Sequence, residues 1–68
     1  MAEYCVNRQQ QTNGDYEVHE RGCQFWPSPA NALSLGFFSN CAGAVQAARQ
    51  YYPQVNGCRT CSRPCHTQ

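Results

Sequence analysis

A small α+β domain follows from three features of this chain: two short segments of strand character near its start, one apolar helical face in its second half, and a close pair of cysteines beyond that face. Tyr4-Cys5-Val6-Asn7 and Tyr16-Glu17-Val18-His19 alternate weakly between apolar and polar residues, the period of a half-buried strand. Asn13-Gly14-Asp15 lies between them, and Asn-Gly favours the positive φ angles of a hairpin turn. Antiparallel pairing then leaves His19 at the exit of the second strand. Residues 24–34 carry Pro27, Pro29, Asn31 and Ser34 and read as a loop, with Phe25 and Trp26 as anchors onto the core. Leu35-Gly36-Phe37-Phe38 supplies a third short strand.

Ser39 or Asn40 offers an N-cap oxygen to a helix over residues 41–52, in which Cys41, Ala44, Val45, Ala48 and Tyr52 share one face. Pro53 stops it. Asn56-Gly57 then turns the chain so that Cys58 and Cys61 point back toward His19 and Cys23. The expected architecture is two or three short antiparallel strands, one helix and a C-terminal knuckle, in a single domain covering residues 1–68 without repeat or linker.

A chain of 68 residues buries too little apolar surface for much surplus stability and needs a further tie. A structural zinc ion supplies about 10–16 kcal/mol of apparent binding free energy, a disulfide about 2–4. The Met1-Ala2-Glu3-Tyr4 start has no basic segment followed by an apolar run of leader length, and no stretch approaches the ~20 apolar residues of a membrane span. The expectation is therefore a cytoplasmic protein with reduced thiols and no membrane association, which favours metal over a disulfide framework of the six cysteines. Five Arg and no Lys against four acids give a net charge of +1, no broad footprint for nucleic acid or membrane. All the acids lie within residues 3–20, however, while Arg49, Arg59 and Arg63 stand in the C-terminal third with no acid beside them.

His19 and Cys23, at i and i+4, can converge across a turn relaxed by Gly22. Cys58-x-x-Cys61 has the spacing of a zinc knuckle, whose backbone N–H groups donate to the sulfurs. Two such pairs enclose one tetrahedral ion, and the metal ligand set is His19, Cys23, Cys58 and Cys61 around Zn²⁺. Three thiolates and a neutral imidazole leave a site charge of about −1, which Arg59 or Arg63 can offset. Cys65 and His66 compete for a place, since Cys61-x-x-x-Cys65 also has ligand spacing. Cys41 begins the helix on its buried face and reads as core packing; whether it instead pairs with Cys65 stays open. Cys5 has no spaced partner and reads as a spectator.

Nearly the whole chain resembles a family of small bacterial His/Cys proteins with no assigned function. The shared frame runs Tyr4-x-Val6-Asn7, Asn13-Gly14-Asp15-x-Glu17-Val18-His19-x3-Cys23, Leu35-Gly36-x-Phe38, Cys41-x2-Ala44-Val45 and Asn56-Gly57-Cys58-x2-Cys61-x3-Cys65-His66-Thr67. In that family the position of Cys5 is usually aromatic, which keeps it out of the site. The order of elements is also distantly similar to the zinc-binding domain of Ada-type DNA alkylation-repair proteins, which holds zinc as Cys-x3-Cys and Cys-x2-Cys. His19 stands at the position of that family's methyl-accepting thiolate, and an imidazole cannot serve as that nucleophile. The resemblance therefore implies the fold and the metal without the repair activity.

The functional expectation is a non-enzymatic zinc-stabilised binding module for a protein or nucleic acid, with no small-molecule substrate. Arg49, Arg59 and Arg63 with Phe25 or Trp26 would make the nucleic-acid contact, and a plain solvated surface is the alternative for the same residues. Thiol-redox chemistry at Cys58 and Cys61 is the second reading, although no βαβ setting precedes residue 58. Zinc hydrolysis fits poorly: His19-Glu20 matches neither the protease nor the deaminase motif, and the chain is short for a walled substrate pocket.

Overall fold

The computed structural model describes residues 1–67, and among them four strands form one mixed sheet with a single α-helix on it. Strand β1 (Ala2–Asn7) pairs antiparallel with β2 (Tyr16–Glu20), setting Val6 opposite Val18 and Cys5 opposite His19. The turn between them is longer than a two-residue hairpin. Gly14 takes φ +96° there, and Asn13 Oδ1 accepts from the Asp15 N–H at 3.0 Å, the local bond that makes Asn a turn residue.

Strand β3 covers Ala32–Phe38, longer than the expected 35–38, because the far edge of β1 pairs with it as far as Asn7 opposite Ala32. Its phase breaks midway. Tyr4 faces Gly36 while Cys5 faces Ser34, so Leu35 is an extra residue, and Gly36 at φ +98° takes up the distortion. A bulge of this kind hides the strand's alternation from a period count, which is why residues 32–34 read as loop.

Helix α1 (Cys41–Ala48) starts where Asn40 Oδ1 accepts from the Ala42 N–H at 2.9 Å. It ends four residues before the expected Tyr52: the Gln50 and Tyr51 N–H groups bond to carbonyls three residues back, tightening the chain into turns. Tyr52 still closes the core edge by stacking on Tyr16, with centroids 3.9 Å apart. The buried helical face is Cys41, Ala44, Val45 and Ala48, packed on Tyr4, Val6 and Val18. Phe38 adds an edge-to-face contact to Tyr4.

The expected turn at Asn56-Gly57 is instead strand β4 (Val55–Gly57), parallel to β2. Both residues suit a ladder here for specific reasons. Asn56, buried, donates to Asp15 Oδ2 at 3.2 Å and accepts from the Thr67 N–H at 3.0 Å, so its amide is used across the fold. Asp15, also buried, is held by Gln54 as well, at 2.8 Å. Gly57 lets Cys65 approach so closely that a Cβ there would stand 2.7 Å from the Cys65 Cβ. The sheet order is β3-β1-β2-β4, and a short 3₁₀ helix, η1 (Arg63–Cys65), follows the knuckle.

Two further expectations change. Phe25 is 55 % exposed and anchors nothing, whereas Trp26 is half-buried under the Arg21 guanidinium, 4.5 Å from its ring centroid. Cys41 does more than pack: it is bonded to Cys65, tying the start of α1 to the end of η1, so the thiols are not all reduced. No helix among the described residues is long and apolar enough to cross a membrane.

Candidate metal centre

Side chains alternate across a sheet, so Val6 and Val18 facing the helix send Cys5 and His19 to the opposite face. The centre is built on that second face. Because β4 runs parallel to β2, the two strands leave the sheet at the same end, and the Cys58 N–H donates to the Val18 carbonyl at 2.9 Å. That single pairing carries Cys58 to the side of His19. A turn then folds Cys61 inward, with the Ser62 N–H donating to the Cys58 carbonyl at 2.8 Å.

On the other arm, the Cys23 N–H donates to the Glu20 carbonyl at 3.1 Å, and Gly22 at φ +100° allows that tight reversal after β2. One donor atom from each of His19, Cys23, Cys58 and Cys61 therefore lies within 4.8 Å of every other. These four could hold a metal ion. Cys23 Sγ and Cys58 Sγ stand 3.9 Å apart, against about 3.8 Å for two thiolates each about 2.3 Å from one tetrahedral zinc.

Hydrogen bonds prepare the sulfurs for negative charge. The Glu20 N–H points at Cys61 Sγ at 3.2 Å, the Thr60 N–H at Cys58 Sγ and the Phe25 N–H at Cys23 Sγ, both at 3.4 Å. The buried Ser62 hydroxyl lies 3.7 Å from Cys61 Sγ. On the histidine, Nε2 stands 3.4 Å from Glu17 Oε1, while Nδ1 is buried without any partner. An orphaned ring nitrogen beside three sulfurs suits an imidazole that offers Nδ1 to a cation while a carboxylate orients its other nitrogen.

Burial dominates the titration of Cys61 and His19. It pushes the Cys61 thiol up to about 12, although the Glu20 N–H acts in the other direction, and it draws the His19 imidazole below its ordinary value. A cation at the cluster would reverse this balance at Cys61 and displace its thiol proton.

The remaining candidates lie outside the set. Cys65 is spent in the disulfide, and His66 Nδ1 sits 3.0 Å from the Gly57 carbonyl. Arg59 and Arg63 are exposed. Cys5 is not among the four, but it is fully buried directly opposite His19, and its thiol is pushed up to about 12, mainly by burial. It forms part of the floor under the ligand pair, a role that only strand register reveals. Glu17 was equally invisible as a partner until the strand put it on the face of His19, two residues away.

A groove of about 420 Å³ adjoins the centre, lined by Gln11, Glu17, Phe25, Cys58, Arg59 and Thr60. Comparison with protein-family models, curated proteins and solved structures gives no match to this chain.

Proposed function

We propose that this chain is a non-enzymatic binding module organised by one structural zinc ion on His19, Cys23, Cys58 and Cys61. The observation that carries the reading is the orphaned, buried Nδ1 of His19 in a cluster whose three other members are thiols. Three sulfurs and one imidazole suit a soft-to-borderline cation of tetrahedral preference, and four protein donors leave no open position for a substrate or water. The Glu17 carboxylate fixes the ring, and backbone N–H groups stabilise the thiolates.

The surface offered to a partner is the groove beside the knuckle, where exposed Phe25 meets Arg59, a cation with no acidic partner among the described residues. A protein or a nucleic acid fits that pairing of aromatic and cation. Resemblance to the small bacterial His/Cys family, and more distantly to the Ada-type zinc domain, supports the metal and leaves the partner open. Cys58 and Cys61 make a poor redox pair here, since they follow a three-residue strand and open no α-helix.

Native mass spectrometry with and without a chelator tests the reading. One zinc per chain, lost on chelation together with the near-ultraviolet circular dichroism, is the expected result. A chain that binds no metal, or whose Cys23, Cys58 and Cys61 thiols still alkylate freely in excess zinc, overturns it.

A further inference from the structure

The disulfide and the metal cluster rest on the same few backbone atoms. Cys65 seats directly on Gly57, the residue before Cys58: a Cβ on Gly57 would lie 2.7 Å from Cys65 Cβ and 2.8 Å from the Ser62 carbonyl oxygen. The Cys65 N–H donates to that Ser62 carbonyl at 2.9 Å, and Ser62 in turn holds Cys58 through its N–H and touches Cys61 Sγ through its hydroxyl. His66 closes the circuit on the Gly57 carbonyl. Little apolar contact secures this stretch besides Cys65 itself, which packs partly buried against the core, since η1 contains no buried residue and no side-chain cap. Its one covalent tie is to Cys41, the first residue of α1, and the bonds of Thr67 to Asn56 add to those of Cys65 and His66.

We infer that the Cys41–Cys65 disulfide is a site of thiol–disulfide exchange whose state sets how firmly the zinc centre is held, with a dithiol reductant as its reactant. This rests on the metal reading above. A thiolate of the reductant attacks Cys65 Sγ, since Cys65 is the partly exposed half and Cys41 is 6 % exposed. The S–S bond breaks, and Cys41 leaves as a thiolate that takes up a proton. The second thiol of the reductant then displaces Cys65 from the mixed disulfide, so the reductant departs oxidised and the protein has gained two electrons and two protons. Cys41 remains in the core as a small apolar residue. Residues 63–67 lose their covalent tie to the helix, and the Ser62 and Gly57 atoms that position Cys58 and Cys61 lose the weight pressed on them. Release of the metal speeds up.

The test compares zinc release into a chromophoric chelator, by stopped flow, from three zinc-loaded samples of the full chain. These are the oxidised protein, the protein opened by a phosphine, and the Cys41→Ala/Cys65→Ala variant. The phosphine takes the oxygen of one water as it is oxidised and contributes no competing thiol. Mass spectrometry establishes disulfide state and metal content in each. The expected result is one zinc in all three and release at least about tenfold faster without the disulfide, the scale seen when groups supporting metal ligands are removed. Equal release rates with one zinc bound overturn this inference alone. Absence of bound zinc from all three overturns the metal reading and this inference with it. Should the variant fail to fold by far-ultraviolet circular dichroism, the oxidised and phosphine-opened wild type decide the matter by the same criterion.

Discussion

His19 and Cys5, one behind the other across the β1–β2 ladder, show how much a single residue's setting decides. Burial disfavours the charged imidazole, so the unfolded chain takes up a proton at His19 from about pH 6.5 downward while the folded chain resists. Stability attached to this residue is complete above that range and falls as the pH drops through it. On the proposed zinc reading protonation would also remove a ligand, and a pH titration of bound zinc should show release on acidification with no loss at pH 8. Substituting a proposed ligand is more severe: if the centre holds its metal, Cys58→Ser or Cys23→Ser should cost about 4 kcal/mol or more in denaturant melts, because metal binding is itself folding free energy. Cys5 would be expected from spacing alone to tolerate serine without effect. Its complete burial corrects this, and Cys5→Ser should cost about 1 kcal/mol while leaving one zinc per chain.

At the scale of elements, the legible parts were those with local chemistry. The Asn40 cap and the Cys41, Ala44, Val45, Ala48 face announced α1, and alternation around Val6 and Val18 announced β1 and β2. The ligand pairs were readable for the same reason, since His19 with Cys23 and Cys58 with Cys61 each fall within one turn of chain. Parallel strand β4 was not readable, because it has three residues and its order comes from outside it, from Asp15, 41 residues before Asn56, and Thr67, 11 residues after it. Gly57 looked like a turn former and proves to be a spacer. Gly57→Ala must drive a methyl into the Ser62 and Cys65 backbone, and should cost about 2–3 kcal/mol. At Gly43 the obstruction is the ring of Phe38, 2.8 Å from a built Cβ, and a partly exposed side chain can rotate. Gly43→Ala should therefore be the milder change, below about 1.5 kcal/mol, and thermal melts of the two variants check the order.

Across the whole molecule the helix closes one side of the sheet with its apolar face, and the other side carries the His/Cys cluster together with the bonds of Glu3 to Arg21 and Ser34. On the proposed metal reading, chelation should therefore loosen the 21–31 segment and the knuckle first, while α1 and the β1–β2 ladder persist longer. Hydrogen exchange with and without chelator reads this directly, and uniform loss of protection over the whole chain would contradict it. Charge is distributed as unevenly as order: residues 22–48 carry no Asp, Glu, Lys or Arg. Binding to a nucleic acid through Arg49, Arg59 and Arg63 would show a shallow salt slope of about three phosphates. Finally, the same-direction course of β2 and β4 governs the order of assembly. Cys58 and Cys61 can seize an ion as soon as the polypeptide exists, whereas Cys23 and Cys58, 35 positions apart, meet only after a slow long-range closure. Surplus zinc would then occupy each half separately, and refolding should slow as zinc rises beyond one equivalent, because an ion must be surrendered before the two halves can share the other.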